Sequence, residues 1–553
     1  MTQPWARVPL GPEAARWRTG GTERLVLAVV HNVTSLTRLL DTLAAVEGDP
    51  RVQVLFTWTR SSPFTHDVER FLADIGALTI PWEQAVASEF DLAVSGSYGG
   101  ELEQLKAPLL TVSHGVGYNK ILARNQDPGI FGLSPDWLLH EGRLIPTSLI
   151  LSHPEQLDRL ARDCPQGLPA AVIAGDPCFD RMLAGVSHRA RYRRSFGVLP
   201  RQKLVFVTST WGPDSLFAQH AELLPRLLAE LPLDDYRVVA ALHPNVWHGH
   251  GPWQVRAWLA PSLRAGLTLL PPRDGWRAAL VATDLVIGDH GSVTFYGAAL
   301  DRPVLMPGFP HHAVDPSSPV GLLGAAAPAL AADRPLLPQV RRALADHRAG
   351  RYSEITRSVT AAPGKATALL RAEMYRLMKL PETGPPPAVH RVPLPGPEAQ
   401  AETVTTVLVA ARREGDVLTV ERFPAALGLN RPGFADGRHV CADESEPEQR
   451  LLELADIIHG PAATDHAAAV RWLDDTMANY PGCFVAAVPT GPHECLVQAR
   501  GGRAVRCVTD QPALAASLVY DWLAQERGLE TLPADQTVVA GPTRHRLRFV
   551  TGS

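Results

Sequence analysis

The stretch from Ala282 to Leu305 reads as strand, tight turn, helix and strand in quick succession. Leu285, Val286 and Ile287 form a short apolar run, as a strand buried on both faces does. Asp289-His290-Gly291-Ser292 supplies residue types that tolerate a tight turn. Residues 293–300 contain no breaker except Gly297 and suit a short packed helix, which Arg302-Pro303 stops before Val304-Leu305-Met306 begins the next strand. A chain built from such units folds as a parallel sheet with helices on its faces.

The alternation runs along most of the sequence. Strands are expected at 25–30, 52–56, 78–80, 91–95, 109–113, 149–152 and 171–174. A helix capped by Thr34 follows the first strand, another spans about 67–75, and Asp176-Pro177 opens a third. The basic, weakly apolar run 186–200 marks a crossover. The pattern then restarts with strands at 203–208, 236–242, 267–270, 285–287 and 304–306, and helices at 215–230, 336–348 and 364–380. This is an α/β chain with two Rossmann-like domains, 20–195 and 200–380, facing a cleft. The proline density of 381–402 forbids a regular core element and makes it a linker. Residues 403–553 read as a small α+β domain, with strands at 403–409, 417–420, 483–488, 495–498 and 505–508 and helices at 450–458, 466–477 and 513–525. That domain holds no catalytic constellation, so interaction, regulation or dimerisation is its expected use.

Composition narrows the class. With 553 residues, 45% hydrophobic and 20% charged, the chain suits a soluble globular protein of several domains. A net charge of −4 provides no general field for nucleic acid, and the basic run 189–194 suits a solvated helix face. Six scattered cysteines without a Cys-x-x-Cys pair argue against a disulfide framework or zinc knuckle and fit a reducing cytoplasm. No apolar run has the length of a membrane span, and the opening residues do not read as a signal peptide.

Chemistry is expected at strand tips, where open α/β sheets bind ligands. At 289–293 the first helical N–H groups lack intrahelical partners, Gly291 permits close approach and Ser292 adds a hydroxyl, which together suit a diphosphate. The same turn also occurs empty in many sheets. His114, Gly115, Gly117 and Lys120 lie in one turn, and that histidine serves either as a general base with a pKa near neutrality or as a carbonyl-bonded turn residue. Thr210 suits phosphate binding or helix capping. His243-Pro244 places an imidazole toward the cleft, where it can donate to a phosphoryl oxygen. Residues 175–180, a turn and helix start near the crossover, read either as a further ligand-binding tip or as a structural turn. The clusters His243/His248/His250 and His311/His312/Asp315 lack the helical spacing of a zinc site, so no metal or cofactor is expected.

Taken in order, these stretches resemble the CDP-glycerol glycerophosphotransferase family, the teichoic acid primases and polymerases. A His-Gly-Thr-Pro-Leu-Lys-like turn of that family resembles His114–Lys120, a Gly-x-Pro-Arg-x-Asp stretch resembles 175–180, a Pro-Thr-Trp-Arg stretch resembles 209–212, and a His-Pro turn resembles His243-Pro244. The fullest match is Asp-Tyr-Ser-Ser-Val-x-Phe-Asp-x-Ala-x-Leu-x-Arg-Pro, which resembles 289–303. The resemblance covers about 25–380. It implies a GT-B-like core and transfer of a polyol phosphate from a nucleotide-diphosphate donor, CDP-glycerol or another CDP-polyol, to a cell-envelope glycan or polyol-phosphate acceptor. It further implies His114 and His243 as catalytic residues, Thr210, Asp289, Gly291, Ser292, Val293 and Lys120 as donor-binding residues, and peripheral contact with the inner face of a membrane. The sequence departs from the family pattern. One extra residue separates His114 from Lys120, Gly212 and Cys178 replace arginines, and His290 and Gly291 replace a tyrosine and a serine. A nucleotide-sugar glycosyltransferase or epimerase of GT-B fold, and a non-catalytic binding protein whose third domain recruits partners, are the alternatives.

Overall fold

The central strand of the first sheet, Arg24–Val30, is fully buried over its last five residues, as its apolar run requires. In the computed structural model, which describes residues 5–10, 14, 19–59, 67–123, 128–429, 431 and 433–550, this sheet is parallel throughout. Its strands lie in the order Ala171–Ile173, Ser148–Leu151, Leu109–Thr111, Leu92–Ser95, Arg24–Val30, Val52–Trp58 and Thr79–Ile80. A second parallel sheet has the order Thr268–Leu269, Tyr236–Leu242, Lys203–Ser209, Leu285–Gly288 and Val304–Leu305. Both α/β units expected from the alternation are present. In the second, chain order reverses between Lys203–Ser209 and Leu285–Gly288, which opens a crevice at their carboxyl ends. Among the described residues no helix is long and apolar enough to cross a membrane.

Several local expectations are corrected. The first helix, Val33–Leu43, is capped by Asn32 rather than Thr34: the Asn32 side chain accepts from Ser35 N, and Ser35 Oγ accepts in return from Asn32 N. The expected helix at 215–230 is split into Leu216–Gln219 and Leu223–Glu230. Helix Ala366–Met378, expected to close the second unit, packs Leu370, Met374 and Tyr375 into the first unit's core, and Met378 O accepts from Arg24 Nε at 2.7 Å.

The third unit contains the expected α+β mixture, arranged as nine strands closed into a barrel, with helices His466–Asn479 and Pro512–Ala524 packed against it. Ile457–His459, read from sequence as the end of a helix, is a strand paired in parallel with both neighbours. Arg438–Asp443, Asp535–Ala540 and Thr543–Val550 complete the closure. The barrel is docked on the second unit. Arg422 donates to Asp234 at 2.9 Å, Arg431 donates to Glu230 at 3.0 Å, and Arg422 O accepts from Leu233 N at 2.8 Å. The proline-rich segment at 381–402 has no strand and only one 3₁₀ turn, Pro397–Ala399, yet it is not loose. Val392 is buried and its carbonyl accepts from Tyr192 OH at 2.6 Å.

Candidate functional site

The carboxyl ends of both sheets converge on one cavity of about 160 Å³. His114 and Lys120 reach it from the first unit, and Thr210, His243, Gly291, Ser292 and Val293 reach it from the second. All the residues named from sequence are therefore brought together here except Asp289. That carboxylate is 3% exposed and directed away from the cavity. It accepts from Thr210 N at 2.8 Å, Thr210 Oγ1 at 2.9 Å, Leu216 N at 2.9 Å and Gly291 N at 3.1 Å. Asp289 thus fixes the turn that carries the site. Two sequence-based roles change accordingly: the Thr210 hydroxyl proton goes to Asp289, and so does the Gly291 amide.

The helix Ser292–Ala299 starts at Gly291 with no side-chain cap. Its amides at Ser292 and Val293 have no acceptor among the described residues, as the first turn of a helix dictates. They are left able to donate to an anion, with the positive end of the peptide dipoles behind them. Ser292 Oγ accepts from Val116 N at 3.1 Å, a hydrogen bond that joins the two units directly. The Ser292 hydroxyl keeps its own proton to donate. Gly115 makes this approach possible, because a Cβ there would collide with Ser292 Oγ.

The imidazoles are neutral. Burial, reinforced by the charges of Lys120, Arg38 and His31, lowers the pKa of His114 to about 4, although a backbone hydrogen bond at Gly96 opposes the shift. The expected value near neutrality is corrected: the bare site gives a weak base that is fully deprotonated at pH 7. His243 is also held well below its ordinary range, by burial first and then by Lys120 and His114. Its Nδ1 accepts from Asn245 N at 3.1 Å, so in the neutral ring Nε2 carries the proton. His243 is therefore a hydrogen-bond donor toward the cavity.

Among the described residues the lining contains four cationic side chains, Lys120, Arg38, Arg273 and Arg277, and no carboxylate. Lys120 Nζ lies 5.9 Å above the Trp211 ring, and no carboxylate stands within ion-pair distance of it among the described residues. Burial lowers its pKa, and Asp289 partly offsets the shift. The arginines are tied down. Arg38 donates to Asp176 at 2.7 Å and to Tyr296 OH at 2.7 Å, while Tyr296 OH donates to Asp176 at 2.5 Å. Asp41 accepts from Arg277 at 2.8 Å and from Arg181 at 2.5 Å. Arg273 pairs with Asp74. This network crosses the cleft floor and holds the units together. Sequence reasoning missed Arg38, Arg277 and Tyr296. The available signal was the charged pair Arg38/Asp41, spaced i, i+3 beside the apolar stripe of an amphipathic helix and buried with it.

Among the described residues no group of three or more candidate ligands stands close enough to hold a metal ion. Asp315, considered with His311 and His312, is paired instead with Arg159 at 3.0 Å.

No family model and no curated protein matches the chain. Solved structures with similar folds include the wall teichoic acid polymerase TagF, at 13% identity, covering 64% of this chain and 89% of that one with a TM-score of 0.42. The S. aureus MnaA–UDP co-structure is 11% identical, covering 66% and 99% with a TM-score of 0.38. UDP-GlcNAc 2-epimerase from Methanocaldococcus jannaschii is 12% identical, covering 64% and 99% with a TM-score of 0.42. At this distance the likenesses carry no functional argument, which rests on the cavity itself.

Proposed function

We propose that the chain is a transferase for a nucleotide-diphosphate donor, and that it moves the polyol phosphate of CDP-glycerol or another CDP-polyol to a hydroxyl of a glycan or polyol-phosphate acceptor. One observation carries the reading: among the described residues the cavity at the sheet tips is lined by Lys120, with no carboxylate in ion-pair distance, and by Arg38, Arg273 and Arg277, each held by a carboxylate outside the lining, beside open helix N-terminal amides. Such a lining selects a multiply charged anion. The motif order from His114 to Pro303 supports the polyol phosphate in particular. On this reading the unit at 200–380 binds the donor, and the unit at 20–195 presents the acceptor. The protein works in the cytoplasm, at the inner face of a membrane.

The amides of Ser292 and Val293, the Ser292 hydroxyl and Lys120 hold the diphosphate. His243 Nε2–H donates to the phosphoryl oxygen on which charge builds. Neutral His114 accepts the proton of the acceptor hydroxyl as that oxygen bonds to the polyol-bearing phosphorus, and the bond to the departing CMP breaks. An entering dianion also raises the basicity of His114, because negative charge nearby favours imidazolium.

Binding measured against CDP-, UDP- and GDP-linked ligands tests this. Preference for CDP supports the polyol-phosphate reading. Preference for UDP or GDP replaces it with a nucleotide-sugar transferase or epimerase, and binding of none replaces it with a non-catalytic protein.

A further inference from the structure

A second, open cavity of about 520 Å³ lies beside the cationic one. The two share the turn after Leu285–Gly288: His290 lines the first and Asp289 the second. Their chemistry is opposite. The second has Asp214, Asp289 and three histidines in its lining and, among the described residues, no lysine or arginine. A phosphate is repelled there and drawn next door.

The oxygens of Asp289 are occupied by the donors described above, so Asp214 is the carboxylate left to meet a ligand. Its Oδ2 lies 3.1 Å from His312 Nε2, which orients it, while Oδ1 has no hydrogen-bond partner among the described residues. Phe309 supplies an apolar wall between the two cavities, with ring centroids 6.5 Å from His290 and 5.1 Å from His311. His290, only 8% exposed, lines the first cavity on the other side of this ring.

A carboxylate with an open acceptor oxygen beside an aromatic face matches a neutral carbon chain bearing adjacent hydroxyls. Two O–H groups donate to the carboxylate while the C–H edge covers the ring. We infer that this second cavity is a vicinal-diol subsite, gripped by Asp214 and Phe309 and adjoining the phosphate cavity along the turn of Asp289 and His290. The inference rests on the anion-binding reading of the first cavity. The diol belongs either to the ribose of the nucleotide or to a polyol acceptor.

Calorimetric titration of the full chain and its Asp214→Ala and Phe309→Ala variants separates the sources. Asp214 is partly exposed, so its truncation leaves the core intact. If the ribose sits here, CMP binds the unaltered protein at least tenfold more tightly than 2′-deoxy-CMP, and both variants weaken CMP until that difference disappears. If the acceptor sits here, CMP and 2′-deoxy-CMP bind alike, and ribitol binds the CMP complex of the unaltered protein but of neither variant. Pyrophosphate affinity stays within twofold throughout. Deoxy discrimination and ribitol binding that are both unaltered in the variants, with pyrophosphate still bound, overturn the diol subsite alone. Failure of the unaltered protein to bind pyrophosphate overturns the anion cavity, and this inference with it.

Discussion

On the proposed mechanism His114 meets the acceptor as a neutral imidazole, since burial and the charges of Lys120 and Arg38 hold its pKa at about 4. His114→Ala is expected to lower turnover about a hundredfold or more, within the usual range for loss of a general base, while donor affinity changes by less than about threefold. Single-turnover rates and equilibrium titration separate the two effects, and full activity in the variant would refute the base assignment. The depressed pKa also predicts stability. His31 and His114 titrate at about 4 in the folded chain, against an ordinary value of 6.5. The unfolded chain therefore binds more protons between those values, and stability falls as pH drops from 6.5 toward 4. Denaturant midpoints across that window should decline in the unaltered protein and decline less in His114→Gln; parallel profiles would contradict the assignment. His114 was legible as a site residue because a histidine follows a strand-like run directly. Its protonation was not, because it depends on burial between the two units and on Arg38 and His31, which reach it from other elements. Asp289 shows the same limit: its place at the tip could be read, but not that Thr210 and Leu216 fold back onto its oxygens.

At the scale of elements, the docking of 113–117 onto Ser292–Ala299 is the contact that shapes the site. Gly115→Ala places a methyl against Ser292 Oγ and displaces Val116 N from its acceptor. A loss of about 0.5–1.5 kcal/mol follows from the hydrogen bond alone, and the collision adds to it. Ser292→Ala removes the clashing oxygen, so the double variant should be less destabilised than the sum of the singles. A coupling of about 0.5–3 kcal/mol is the range for touching residues, and strict additivity would show that the contact does not matter. The parallel strands were legible because burial on both faces leaves continuous apolar runs. Helices Pro244–His250 and Pro252–Arg264 were not, since proline and glycine interrupt them and exposed tryptophans hide their apolar face. Barrel closure was equally hidden. Ile457–His459 is only three residues long and follows a short helix after only three residues, with no glycine or proline between them.

For the whole molecule, the two units are fastened through Asp41, Arg38 and Asp176 across the cleft floor. Asp41→Ala leaves Arg181 and Arg277 without their shared carboxylate and is expected to cost about 3–5 kcal/mol, the range for breaking a buried ion pair. A denaturant midpoint equal to that of the unaltered chain would show that the network is not under load. The barrel is fixed to the second unit through the pairs Arg422–Asp234 and Arg431–Glu230. The central claim is that the cationic cavity between the units receives the donor's diphosphate. A crystal structure of the chain soaked with CDP-glycerol tests it most directly. The account predicts both phosphates within hydrogen-bond distance of the Ser292 and Val293 amides, with Lys120 Nζ and His243 Nε2 turned toward them; a diphosphate bound anywhere outside that cavity would contradict it.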